Sequence, residues 1–160
     1  MGNETLTSGD SDKAILERLN EAGALKVLVT LDEHGAPHPT PKGSIRWDGE
    51  RIVLWEILES SHTNRNLTRS IWFDKPVVIL LVTADKKAYK IAARPARNLT
   101  AGKEFTRHYE EAEQQRGLGI AAVWLFEPLE ITDQSAGTRI AQERAARPYF
   151  THLDQLARKD

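Results

Sequence analysis

A mainly β, α+β fold, built on a small antiparallel barrel with flanking helices, is what the sequence predicts. Three observations support it. Apolar, β-branched runs recur along the chain and are joined mostly by short turns rather than by a helix after every strand, which disfavours a doubly wound parallel sheet. The helix-compatible stretches are few and amphipathic. Several strands are apolar on both faces, so helices or a second subunit must cover the outside of the barrel, and a homodimer is expected on that ground.

At 160 residues and 18.0 kDa the chain has the size of one domain. Met1 to Asp10 is small and polar with nothing to bury, so residues 1–10 are expected to be disordered. Ile15, Leu19 and Ala22 then recur at helical spacing, with Ser11 or Asp12 to cap the start and Gly23 to stop the end. LKVLVTL (25–31) reads as a strand that turns at DEHG into the Pro-rich stretch APHPTPKGSIRW. The Asp48-Gly49 pair between apolar runs signals a tight two-residue hairpin into RIVLWEIL, and these strands are expected to meander antiparallel.

Leu67 and Ile71 mark a helix from about His62 to Phe73, with Ser61 or Thr63 as cap. VVILLVT (77–83), a turn at ADKK and AYKIAARPA make another hairpin. Ala101, Phe105, Tyr109 and Ala112 mark a further helix after Thr100, and IAAVWLFEPLEIT (120–132) closes the sheet. The barrel domain is placed at 11–134. Residues 135–160 are read as a C-terminal helix and tail.

Composition excludes several function classes. The 22 Lys and Arg against 23 Asp and Glu leave a net charge of −1, which argues against a nucleic-acid or anionic-lipid partner. There is no cysteine, hence no disulfide, thiolate catalysis or Cys-type metal centre. No secretory signal or bilayer-length apolar run is seen, so the cytoplasm is the expected location and no membrane role is expected. His34 and His38 are four apart, but on a Gly-Ala-Pro turn rather than a helix, so no metal site is expected. Trp47, Trp55, Trp72 and Trp124 read mostly as core or interface, and His108 as packing or rim beside the stripe of its helix. Gly117-Leu-Gly119 reads as a turn, and Arg139, Arg144 and Arg147 as a solvated helix face.

The run Ser61-His62-Thr63-Asn64-Arg65-Asn66 concentrates hydroxyl, imidazole, amide and guanidinium groups at a helix start. Such a start offers unpaired N–H groups and positive dipole, which suit a phosphate as well as ordinary capping. In order along the chain, VTLDEHGAPHPTP with its G-x-P, a hairpin with W-D-G, S-H-T-N-R-N-L, K-P-V-V-I-L-L and F-E-P-L-E-I follow one another. This succession, over roughly Leu25 to Thr132, resembles the pyridoxamine 5'-phosphate oxidase-like FMN-binding split-barrel family. The resemblance implies a split barrel, a homodimer with the cofactor site near the subunit interface, FMN as cofactor and flavin-dependent oxidoreductase chemistry.

By the same resemblance, Ser61, His62, Thr63, Arg65 and Asn66 would bind the FMN phosphate, and Pro41, Lys42, Gly43 and Ser44 would line the isoalloxazine. Family members often carry Lys or Arg where His62 and Thr63 stand, so the grip here would lean on hydroxyls, backbone N–H groups and Arg65. The C-terminal Arg and Trp substrate motif of pyridoxamine phosphate oxidases has no counterpart, so the small-molecule substrate or electron donor and the catalytic residues are unassigned. A non-catalytic module of the same fold holding a flavin, deazaflavin or haem is the alternative.

Overall fold

The computed structural model describes residues 4–148 and Leu156, with side chains from Ser11 onward. The described residues form α1 (Glu4–Glu17), a 3-10 turn (Arg18–Asn20), β1 (Leu25–Leu31), β2 (Pro37–Pro41), β3 (Arg46–Trp47), β4 (Ile52–Glu56) and α2 (His62–Trp72). After these come β5 (Val77–Val82), β6 (Ala88–Leu99), α3 (Lys103–Arg116), β7 (Ala122–Asp133) and α4 (Ala136–Ala146). The first helix begins at Glu4 rather than near Ser11. Met1 to Asn3, and the expected tail apart from Pro148 and Leu156, lie outside the described residues.

One seven-stranded antiparallel sheet runs in the order β2-β1-β5-β6-β7-β4-β3 and curls into a half-barrel. The expected meander of the first strands does not form: β1–β2 and β3–β4 are hairpins at opposite edges. The prolines explain one edge. Lys42 N–H donates to Lys26 O across the β1 side, so the alternate positions Pro37, Pro39 and Pro41 face outward, where they offer no N–H to another strand.

The Asp48-Gly49 turn is also looser than expected. Trp47 pairs with Ile52, which leaves a four-residue loop, and only Gly49 of the two takes a positive φ. Asp48 decides this: its Oδ1 accepts from the N–H groups of Glu50 and Arg51, building the loop on a side-chain acceptor.

The long strands β6 and β7 slip register at Ala92/Ala93 and Pro95/Arg97, irregularities of the kind that bend a sheet. On the concave side, Leu28, Ile45, Ile52, Leu54, Ile79, Ile91, Trp124 and Phe126 pack with Leu16, Leu19 and Leu67 from the helices. On the other side of β4 and β7, Val53, Trp55, Val123 and Leu125 pack under Ala112, Phe105 and Tyr109 of α3. This second layer is the cover that the doubly apolar strands demanded. No helix among the described residues is long and apolar enough to cross a membrane.

Candidate functional site

A cleft of about 360 Å³ opens where β2 ends. Its walls are Pro41–Ser44, the end of β4 with its continuation (Trp55–Leu58), and the last turn of α3 with Leu118 and Ile120. Ser44 ties two of these walls together: its Oγ donates to Trp55 O (2.9 Å) and accepts from Trp55 N (3.1 Å). A hydroxyl thus supplies the lateral bonding that β2 and β4 do not make as paired strands.

The cleft contains a partly buried ion pair. Lys42 Nζ lies 2.8 Å from Glu56 Oε2, while Glu56 Oε1 accepts from Leu58 N. Glu56 is only 3% exposed, and a carboxylate so buried needs such partners to stay charged. Gly43 has no positive φ; a Cβ there would meet only the far end of Arg116, at 4.0 Å. The glycine therefore leaves the cleft wall open without straining it.

Behind Trp55 lies His108, which is buried rather than at the rim. Trp55 Nε1 donates to His108 Nδ1 (3.3 Å), and Arg46 Nη2 approaches the same nitrogen (3.2 Å) while its guanidinium lies 3.9 Å over the Trp55 ring. With donors converging on Nδ1, the imidazole accepts there, while Arg107 Nη2 lies 3.5 Å from its Nε2. Burial, aided by the charges of Arg107 and Arg46 against Glu111 and Glu104, holds His108 below the ordinary histidine pKa.

The start of α2 is a second region. Ser61 caps the helix, its Oγ accepting from Asn64 N (2.9 Å), as the sequence predicts. Asn66 is buried and donates to Thr30 Oγ1, Thr63 is buried, and Asn64 Oδ1 accepts from Trp124 Nε1. These bonds anchor the helix start to the sheet. His62 and Arg65 are exposed, and the N–H groups of His62 and Thr63 have no acceptor among the described residues. His62, Arg65, Asn66 and Arg69 line a depression of about 220 Å³ together with Asp32 and Glu33.

The nine residues singled out from the sequence thus fall into two groups. Pro41, Lys42, Gly43 and Ser44 share the first cleft; His62, Arg65 and Asn66 share the second, while Ser61 and Thr63 line neither. The segment from Ile57 to Ser61 connects them, since Ile57 and Leu58 belong to the first cleft and Ser61 caps the helix of the second. Sequence reasoning missed Glu56, Arg116 and the Trp55–His108–Arg46 cluster. Glu56 had a legible signal: it is the one acid within the apolar run IVLWEIL, where burial of its charge demands a partner. Among the described residues no group of His, Asp or Glu is arranged to hold a metal.

No family model and no curated protein matches the sequence. In three dimensions the chain is similar to an FMN-binding protein from Syntrophomonas wolfei subsp. wolfei, with a TM-score of 0.66 and 16% identity over 82% of this chain and 92% of that one. It is similar to HupZ of Group A Streptococcus, with a TM-score of 0.62 and 20% identity over 77% and 94%. It is also similar to an F420 reductase, with a TM-score of 0.56 and 13% identity over 75% and 94%. Sequence order, sheet topology and these likenesses converge on one fold: the chain is a split barrel of the kind found in pyridoxamine 5'-phosphate oxidase-like proteins.

Proposed function

We propose that this chain is a cytoplasmic, homodimeric FMN-binding protein, with its cofactor site near the subunit interface, that works as a flavin-dependent oxidoreductase on a small molecule. The observation that carries the reading is the cleft at Pro41–Ser44, an apolar slot with an open glycine wall and a fixed cation. A bound flavin supplies hydride or electron transfer, which calls for no side-chain nucleophile. Lys42, held in place by Glu56, is the residue proposed to face the anionic edge of a reduced ring. Trp55 forms one wall, and Ser44 keeps that wall in place through its two bonds to the Trp55 backbone.

The phosphate assignment is narrowed by what the side chains already do. Ser61 and Asn66 are engaged in holding α2, so the direct grip is assigned to Arg65, to His62 and to the free N–H groups of His62 and Thr63. Asp32 and Glu33 oppose an anion here, and Arg65 and Arg69 offset them.

The test is to mix the protein with equimolar FMN, desalt it on a size-calibrated column and record the spectrum. A retained flavin at twice the 18.0 kDa chain mass is expected. Arg65→Ala should weaken FMN roughly tenfold, the scale of one charge-assisted contact; undiminished affinity would remove the phosphate assignment. Retention without NAD(P)H turnover would favour flavin storage or sensing. A colourless protein that takes a deazaflavin or haem instead would overturn FMN.

A further inference from the structure

Trp55 is held from two sides. Its backbone N–H and C=O are bonded to Ser44 Oγ, and its indole Nε1 donates to His108 Nδ1 (3.3 Å). Trp55 lines the cleft and His108 stands behind it, the two rings edge to face at 73° with centroids 6.4 Å apart. Both residues are buried, and among the described residues Nε1 has no other acceptor. A buried donor of this kind keeps its place only while an acceptor faces it.

The charges around His108 act against its proton. Arg46 of β3 lies 3.2 Å from Nδ1 and stacks on Trp55, and Arg107 of α3 lies 3.5 Å from Nε2. The two acids of α3 that face the ring are engaged elsewhere: Glu111 lies 3.6 Å from Arg46, and Glu104 is shared by Arg51 and Arg97. An imidazolium here would meet two guanidinium groups and present the indole with a second donor where it needs an acceptor.

We propose that His108 is a positioning residue of this cleft: as a neutral acceptor it holds the Trp55 wall in place, and on protonation it releases the indole, so that the cleft loosens in acid and binds its ligand less tightly. Burial and the two guanidinium groups set the change below the ordinary histidine range. The inference deepens the flavin reading and rests on it only for the identity of the ligand. The hold on Trp55 is a property of the chain and is read on flavin-free protein.

The experiment follows the four indole N–H resonances of isotope-labelled, flavin-free protein from about pH 8 to about pH 5. Loss of one resonance in Trp55→Phe identifies Trp55, and circular dichroism marks the range in which the chain stays folded. Within that range the Trp55 signal should move toward the position of exposed Trp72, with one midpoint below about 6.5. It should stand still in His108→Gln, whose amide oxygen accepts without titrating. FMN affinity should fall over the same range roughly fivefold more in wild type than in His108→Gln, the worth of one hydrogen bond. The FMN phosphate and His62 titrate alike in both proteins and cancel. A Trp55 signal that stands still until the chain unfolds, the same titration in His108→Gln, or equal loss of FMN affinity in the two proteins would overturn the proposal. No FMN binding at any pH beside a titrating Trp55 signal sinks the flavin alone, and FMN binding beside a motionless signal sinks this inference alone.

Discussion

Lys42 and Glu56 show how one pair links stability to the site. Lys42→Met would strand a carboxylate that is 3% exposed, and breaking a buried pair in this way costs about 3 kcal/mol. The double change Lys42→Met with Glu56→Met should recover most of that loss, because no buried charge is then left unpaired. Urea unfolding of the single and double variants checks both statements; a single variant as stable as wild type would mean that water reaches Glu56. At this scale Lys42 was singled out from the sequence, whereas Glu56 was missed although its signal was there to read. A lone acid in an apolar strand announces that it needs a partner without naming one.

α3 carries a pH dependence through His108. Above the ordinary histidine value of about 6.5 the ring is neutral whether the chain is folded or unfolded, and the contribution is fully present. As pH falls below that value the unfolded chain takes up a proton that burial, Arg107 and Arg46 deny the folded one, so stability is lost. The urea midpoint should therefore drop between about pH 8 and about pH 5.5, and His108→Gln should flatten that drop. Equal slopes in the two proteins would exclude His108 as the cause.

β2 makes a second prediction at the element scale. Replacing Pro37 and Pro39 with Val would restore outward N–H groups on an edge strand, and light scattering should rise with concentration. Unchanged scattering would mean that something other than missing donors guards this edge. The helices and strands themselves were largely readable, since amphipathic spacing at 62–72 and apolar runs at 25–31 and 77–82 are local signals. The loop at Asp48 was misread because dipeptide preference was outweighed by a carboxylate bonding its own backbone.

For the whole molecule, the exposed faces matter most. Trp72 is 78% and Phe73 67% exposed side by side at the end of α2, large apolar surface of the kind an interface covers. The proposed dimer predicts a sedimentation mass of twice 18.0 kDa, and a monomer at working concentration would leave these side chains unexplained. The sequence by itself determined the elements, their order and the turns between most of them, because these follow from periodicity and turn chemistry over a few residues. Only the tertiary structure decided that β1 pairs with β5 and β4 with β7, and that Trp55 meets His108 across 53 positions and Lys42 meets Glu56 across 14. Such partners are chosen by burying both faces of a curled sheet at once, a condition on the whole chain that no local spacing contains.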